Sequence, residues 1–324
     1  MNIDRIAAPV QSELEEFELA FTDRLQSAVP LAAQVITYIS LRKGKRLRPL
    51  LVFLSAKLHG EPTEKTMTSS IIIEMLHTAT LIHDDVVDES ELRRGVPTIN
   101  HVWNNKVSVL VGDFLFSRTL TNMVDLRDFN ALAVLTQAAE NITEGELLQI
   151  ENKNSIDIDE TTYFDMIFKK TASLFSAASQ LGVLSTGHDE KNQRSMMSYG
   201  ENLGMAFQIR DDMLDYTGDK NTLGKPTGND IRENKITLPL IFALSNSSRS
   251  DRQSICDILD KDIKKTEDID NIIDFVREHD GDKASFKIAE KYAQEALKCL
   301  ADYQDSSIKE CLIHLVKFAI NREK

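Results

Sequence analysis

An all-helical fold is what this sequence predicts, and three features predict it. Apolar residues recur at spacings of three and four through most of the chain, as in Leu14, Phe17 and Phe21 or Leu132, Leu135 and Ala139, which is the period of one helix face. Runs with strict alternation of apolar and polar residues, the mark of a half-buried strand, are scarce. Turn-forming or strongly polar residues cluster in short breaks around Gly60 to Glu64, Arg93 to Pro97, Lys153 to Glu160, Thr186 to Arg194, Gly218 to Asn234, Asn246 to Gln253 and His279 to Lys283. None of these is long or biased enough to be an interdomain linker, so the expectation is one helical domain spanning residues 1–324.

Composition narrows the functional classes. With 324 residues, 42% apolar and 27% charged, the chain has the make-up of a soluble globular protein. Its start, MNIDRIAAPVQSELEEFELAF, lacks a basic region followed by an apolar core, and no later stretch of about 18 uncharged apolar residues appears, so a cytoplasmic location is expected. Cys256, Cys299 and Cys311 form neither a spaced ligand set nor an even framework and read as reduced, packed thiols. A net charge of −13 argues against nucleic-acid binding, which rests on a broad basic surface. Any anionic ligand must be held by a local concentration of positive charge.

Such concentrations exist. From residue 42 to 48 the chain reads Arg42-Lys43-Gly44-Lys45-Arg46-Leu47-Arg48, with Pro49 following, and Gly44 and Pro49 place these cations at a helix boundary. A solvated basic face is the alternative. The next helix, from about Met67 to Val87, is apolar nearly all round, with Ile71, Ile72, Ile73, Met75, Leu76, Leu81 and Ile82, yet it ends in Asp84-Asp85-Val-Val-Asp88. A basic pair, Arg93-Arg94, follows before Gly95 and Pro97, where a loop can aim two guanidinium forks at a diphosphate. Further on, a second apolar helix from about Tyr199 to Tyr216 ends in the same pattern, Asp211-Asp212-Met-Leu-Asp215. After it, Gly224-Lys225-Pro226-Thr227-Gly228 and then Lys235 form a basic loop, or an ordinary surface loop.

At spacing i, i+4 Asp84 and Asp88 share one helix face, as do Asp211 and Asp215. Like charges there repel, and on apolar helices they weaken the fold unless a cation neutralises them. A single such cluster reads equally as a solvated helix end; two copies on apolar helices point to a metal. Hard carboxylates without a Cys or His set suit magnesium, which shares its shell with water and phosphate oxygens. His77 lies two turns before Asp84 on the same face, where a lone histidine is more often a core residue. His83-Asp84 alone would also fit a metal phosphohydrolase, but only seven histidines and no second ligand set accompany it.

With these residues in place the chain resembles the all-trans polyprenyl diphosphate synthases, the head-to-tail isoprenyl chain-elongation enzymes. The motifs are GKRLRP at 44 to 49, EMLHTATLIHDDVVDESELRRGVPT at 74 to 98, SVLVGDFLFS at 108 to 117, KKTASLF at 169 to 175, GMAFQIRDDMLDYTGD at 204 to 219 and GKPTGNDIRENKITLP at 224 to 239. They span roughly residues 40 to 240, with further helices over 241–324. The resemblance implies a class I isoprenoid synthase bundle with a central cavity. It implies that Asp84, Asp85 and Asp88 and the opposed Asp211, Asp212 and Asp215 bind three magnesium ions around an allylic diphosphate. Arg93, Lys170, Lys225 and Lys235 would hold that diphosphate, and Lys45, Arg48, His77 and Arg94 the isopentenyl diphosphate. Thr171 and Gln208 match positions whose oxygen atoms face the developing cation. Homodimerisation is implied as well, and a long apolar product implies transient membrane contact on release. Lys43 replaces the first glycine of the usual GGKR, and Asn234 stands where the family often has glycine.

Product length follows from the same likeness. Ala79 and Thr80, the fifth and fourth residues before Asp84, are small where farnesyl-making members carry an aromatic, which leaves room for a longer chain. Leu76, one turn deeper, and Phe116 or Met123 on the next apolar helix are candidate floor residues. The wording HTATLIHDDVVDES is most similar to octaprenyl-type enzymes that make quinone side chains. The alternatives are a short-chain farnesyl or geranylgeranyl synthase, a class I terpene cyclase, and a noncatalytic synthase subunit; retention of both acidic motifs and the basic stretch weighs against the last two.

Overall fold

The computed structural model describes residues 2–41, 44–93, 95–153, 155, 158–187, 189–217, 228–261 and 263–322. It is all-helical, as the three- and four-residue spacing requires; the one sheet among the described residues is a hairpin of two-residue strands, Leu92–Arg93 and Val96–Pro97. Among the described residues no helix is long and apolar enough to cross a membrane. The chain divides into two compact units: Met1–Ala139, Leu174–Gly200 and Cys299–Leu315 form the first, and Glu140–Ser173, Glu201–Lys298 and Val316–Lys324 the second.

The first unit is built around the helix Glu64–Val87, which packs against Leu47–His59 and Asn105–Asp125. It starts where Thr63 and Thr66 cap each other: Thr63 N donates to Thr66 Oγ1 at 2.8 Å and Thr66 N to Thr63 Oγ1 at 3.3 Å. Ile71, Ile72, Ile73, Met75, Leu76, Ala79 and Ile82 are all buried, so the apolar girth read from the sequence belongs to a helix covered on several sides. Burying Leu76 or an isoleucine of this set contributes about 1.5–3 kcal/mol each. One acid sits among them. Glu74 is 5% exposed and accepts from Arg46 Nη1 at 2.7 Å, while Arg46 Nε reaches Glu18 at 2.8 Å. Arg46 adopts a left-handed φ of 50° just before the Leu47–His59 helix, which turns its side chain inward over the Phe21 ring. One cation of the basic stretch is therefore spent on the core, because a buried carboxylate left alone would cost several kcal/mol.

The second unit gathers Tyr163, Met205, Ile209, Met213, Tyr216, Ile231, Leu238, Ile272 and Val276 into one apolar core. Leu238–Asn246 packs on Thr266–Glu278 and on Glu160–Ile167. Between Glu160–Ile167 and Ser173–Ser185 the chain widens into a π-helical turn, Phe168–Ala172, that carries Lys170 and Thr171. Such turns change the direction of the side chains that follow and recur at functional sites. The short helix Asn229–Arg232 begins after Gly228 and ends with Glu233 as its C-cap, and Asn234 follows with a φ of 56°.

Candidate active site

The first acidic motif ends the Glu64–Val87 helix, with Asp88 as its C-cap: Asp88 N donates to Asp84 O at 2.8 Å. Asp84 and Asp88 are half-buried, whereas Asp85 is only 7% exposed. The inward turn of Asp85 has a partner, since Arg93 Nε donates to its Oδ1 at 2.7 Å. The hairpin presents Arg93 at this point because Ser90 and Thr98 anchor its base: Ser90 N donates to Asp85 O at 2.9 Å and Thr98 Oγ1 to Ser90 O at 2.6 Å. The sequence marked this stretch as a turn and did not foresee the two paired strands. Arg94 lies outside the described residues.

Of the other predicted residues in this unit, His77 is half-buried, Lys45 exposed and Arg48 half-buried, its guanidinium 4.9 Å from the Phe175 ring centroid. Leu76, Ala79 and Met123 are buried, Thr80 is half-buried with its hydroxyl donating to His77 O at 2.9 Å, and Phe116 is 40% exposed. His83 packs against Gly112 so closely that a Cβ there would lie 2.1 Å from its Nε2. A larger residue at Gly112 in SVLVGDF would have to displace that ring.

In the second unit the other motif ends the Glu190–Thr217 helix and is held by more partners. Asp212 is buried, its Oδ2 accepting from the Tyr163 hydroxyl at 2.6 Å and its Oδ1 from Gln208 Nε2 at 2.7 Å. Gln208 Oε1 in turn accepts from Thr171 Oγ1 at 2.8 Å, so Thr171, Gln208, Asp212 and Tyr163 form one connected chain of hydrogen bonds. Asp215 accepts from the backbone N–H groups of Asn229 at 3.0 Å and Asp230 at 2.9 Å, the open N-terminal end of the Asn229–Arg232 turn. Asp211 is the exposed member, with one oxygen on Arg322 Nη2 at 2.8 Å.

Burial pushes the Asp212 carboxyl up to about 7, with Asp211 and Asp215 adding to the rise against the hydrogen bonds from Tyr163 and Gln208. Burial raises Asp215 and Asp230 too. A set of hard oxygen donors that repel one another in this way suits a divalent cation, whose charge removes the penalty. Among the described residues no group of three or more His, Cys, Asp or Glu side chains is arranged to enclose a metal by itself.

Lys170 pairs with Glu146 at 2.6 Å and bonds Gln149 Oε1 at 3.0 Å. It approaches so near to Gly145 that a Cβ there would meet Lys170 N at 2.7 Å. Lys235 pairs with Glu233 at 2.7 Å, and its N–H donates to Asp230 O at 2.8 Å. Lys225 and Lys43 lie outside the described residues. Asn234 resolves its own departure: the position needs a left-handed backbone, and asparagine is the residue after glycine that tolerates it best.

Three participants escaped the sequence reading. Tyr163 and Arg322 stand far along the chain from the motif they touch, and no spacing rule joins them. Glu146 sits in EGELLQ, where its partner Lys170 is the only signal.

The chain matches known proteins over most or all of its length. The Polyprenyl synthetase family model matches residues 29–276. The chain is similar to the octaprenyl diphosphate synthase of Escherichia coli K12, 36% identical over 324 residues and 100% of both chains. Among solved structures it is similar to a decaprenyl diphosphate synthase from Rhodobacter capsulatus, with a TM-score of 0.94, 35% identity and full coverage of both chains. It is also similar to a polyprenyl synthase from Caulobacter crescentus CB15 complexed with calcium and isoprenyl diphosphate, with a TM-score of 0.93 and 35% identity over 100% of this chain and 98% of that one.

Proposed function

The chain belongs to the polyprenyl synthetase family, and on that premise we propose that it is a prenyltransferase that adds isopentenyl diphosphate head-to-tail to an allylic diphosphate and releases a long-chain all-trans polyprenyl diphosphate. The observation that carries the reading is the retention of both carboxylate motifs, each at a helix end, together with the bonded series Thr171, Gln208 and Asp212.

In the reaction the C–O bond of the allylic substrate breaks with its electron pair going to diphosphate. The double bond of isopentenyl diphosphate then attacks the allylic cation, a C–C bond forms, and a proton leaves to the departing diphosphate. Asp84, Asp85 and Asp88, with Asp211, Asp212 and Asp215, would hold magnesium, three ions by family likeness, which supplies the positive charge that neutralises the leaving group. Arg93, Lys170 and Lys235, joined by Lys225, bind the allylic diphosphate. Lys45, Arg48, His77 and Arg94 bind isopentenyl diphosphate and hold it in line for attack. Thr171 donates its hydroxyl hydrogen bond to Gln208, which leaves the lone pairs of its oxygen available to stabilise the allylic cation. The buried apolar side chains Leu76 and Ala79 keep water from quenching that cation.

Ala79 and Thr80 put no large side chain in the way of a growing product, with Leu76, Met123 or Phe116 as its floor, and a quinone side chain is the destination that such a product suits. The protein acts as a cytoplasmic homodimer and meets the membrane when the product leaves. Support for the dimer comes from the Asn105–Asp125 helix, where Leu110 is 66%, Leu120 48% and Val124 71% exposed, apolar side chains that a second copy could cover. The test is replacement of Asp84 and, separately, Asp211 by Asn. Each should lower turnover by about 100-fold or more with folding retained; full activity in either variant would end the metal assignment for its motif.

A further inference from the structure

Arg322 follows the helix Ser307–Asn321 and is only 8% exposed. Its guanidinium lies 3.7 Å over the Phe207 ring, and Nη2 donates both to Phe207 O at 3.0 Å and to Asp211 Oδ1 at 2.8 Å. The carbonyl oxygen of Arg322 accepts from Arg210 Nη2 at 3.1 Å. Phe207, Arg210 and Asp211 occupy one face of their helix, so this residue clasps a single helical turn. The clasp is imperfect, since Arg322 Nε is buried without a hydrogen-bond partner. A buried guanidinium with an unsatisfied N–H stays in place only if what it binds outweighs that loss, and among the described residues the charged side chain it bonds is Asp211.

We propose that Arg322 is the resident counter-ion of the second acidic motif: it holds Asp211 while no divalent cation is present, and by competing for that carboxylate it sets the cation affinity of the motif. The proposal rests on the reading of Asp211 as a metal ligand and assigns Arg322 a positioning role. Two effects oppose each other. The guanidinium repels an incoming dication, and it also orients the carboxylate that the dication needs. Repulsion between unit and double charges a few ångströms apart exceeds the entropy of one Asp side chain, so the first effect wins. Loss of the Arg322 charge therefore tightens cation binding, whereas simple damage to the fold would weaken it.

The experiment titrates Mn2+ into the full chain without diphosphate and reads free Mn2+ by electron paramagnetic resonance, for wild type, Arg322→Gln, Arg322→Lys, Asp211→Asn and Asp215→Asn. Arg322→Gln is expected to bind about threefold or more tightly than wild type, with Arg322→Lys close to wild type. Equal or weaker binding by folded Arg322→Gln overturns the proposal. Hydrogen exchange of wild type over residues 316–322 needs no variant: saturating Mn2+ should speed exchange there, and unchanged or slower exchange contradicts the competition. If neither Asp211→Asn nor Asp215→Asn reduces Mn2+ binding, the metal reading of the motif falls, and the role of Arg322 falls with it.

Discussion

Tyr163 donates its hydroxyl proton to Asp212 Oδ2 across 2.6 Å, and both side chains are buried. The bond joins the Glu160–Ile167 helix to the end of Glu190–Thr217 within one unit, beside the π-helical turn that carries Thr171. Asp212 thereby receives donors on both oxygens, which holds it in place while burial pushes its proton affinity up.

Tyr163→Phe removes one of those donors and leaves a buried carboxylate oxygen short of a partner. The expected cost is about 1–3 kcal/mol of unfolding free energy in chelator, measured by urea denaturation. Stability equal to wild type would show that the hydroxyl contributes nothing to holding Asp212.

Thr171→Val keeps the volume and loses the hydroxyl that donates to Gln208 Oε1. Turnover should fall on the order of 10- to 100-fold, with substrate KM changed far less, because the oxygen acts on charge that develops only in the transition state. A variant with unchanged kcat and raised KM would assign Thr171 to ground-state binding instead.

Ala79→Phe tests the wall proposed on the Glu64–Val87 helix, one turn before the acidic motif. Its product should be shorter than that of wild type by at least one isoprene unit, read by mass spectrometry. Ala79 is 1% exposed, so overpacking of about 1–3 kcal/mol accompanies the change. Unchanged product length in the folded variant would remove Ala79 from the wall.

Asn234 at φ 56° makes a stability prediction with a sign. Asn234→Gly should be close to neutral, and Asn234→Val should cost about 1–2 kcal/mol in thermal or urea unfolding. Equal stability of the two variants would mean that the left-handed backbone is not held in solution.

Much of this was legible in the sequence for identifiable reasons. The helices were visible because residues such as Ile71, Met75 and Ile82 recur at helical spacing, and the motif carboxylates because i, i+4 spacing brings side chains together along one helix. Breaks of one or two residues were harder. The turn at Arg127 to Asp128 separates two helices without a Gly–Pro cluster, so local composition carries little trace of it, whereas the break at His279 to Lys283, where Asp280 is left-handed, was marked by its polar run and Gly281. Arg46 shows a different limit. It stands among anion-binding candidates in the sequence, but the burial of Glu74, decided by packing some thirty positions away, turns it into the core. Tyr163, Glu146 and Arg322 were hidden for the same reason, since hydrogen bonds between segments distant in sequence leave no periodicity.

The central claim is chain elongation to a long product, and product analysis tests it most directly. Purified protein is incubated with magnesium, labelled isopentenyl diphosphate and, separately, dimethylallyl, geranyl, farnesyl and geranylgeranyl diphosphate, and chain length is read by mass spectrometry. Linear polyprenyl diphosphates well beyond geranylgeranyl are the predicted result. Products that stop at farnesyl or geranylgeranyl would contradict the long-chain assignment, and no incorporation with any primer would contradict the reaction itself.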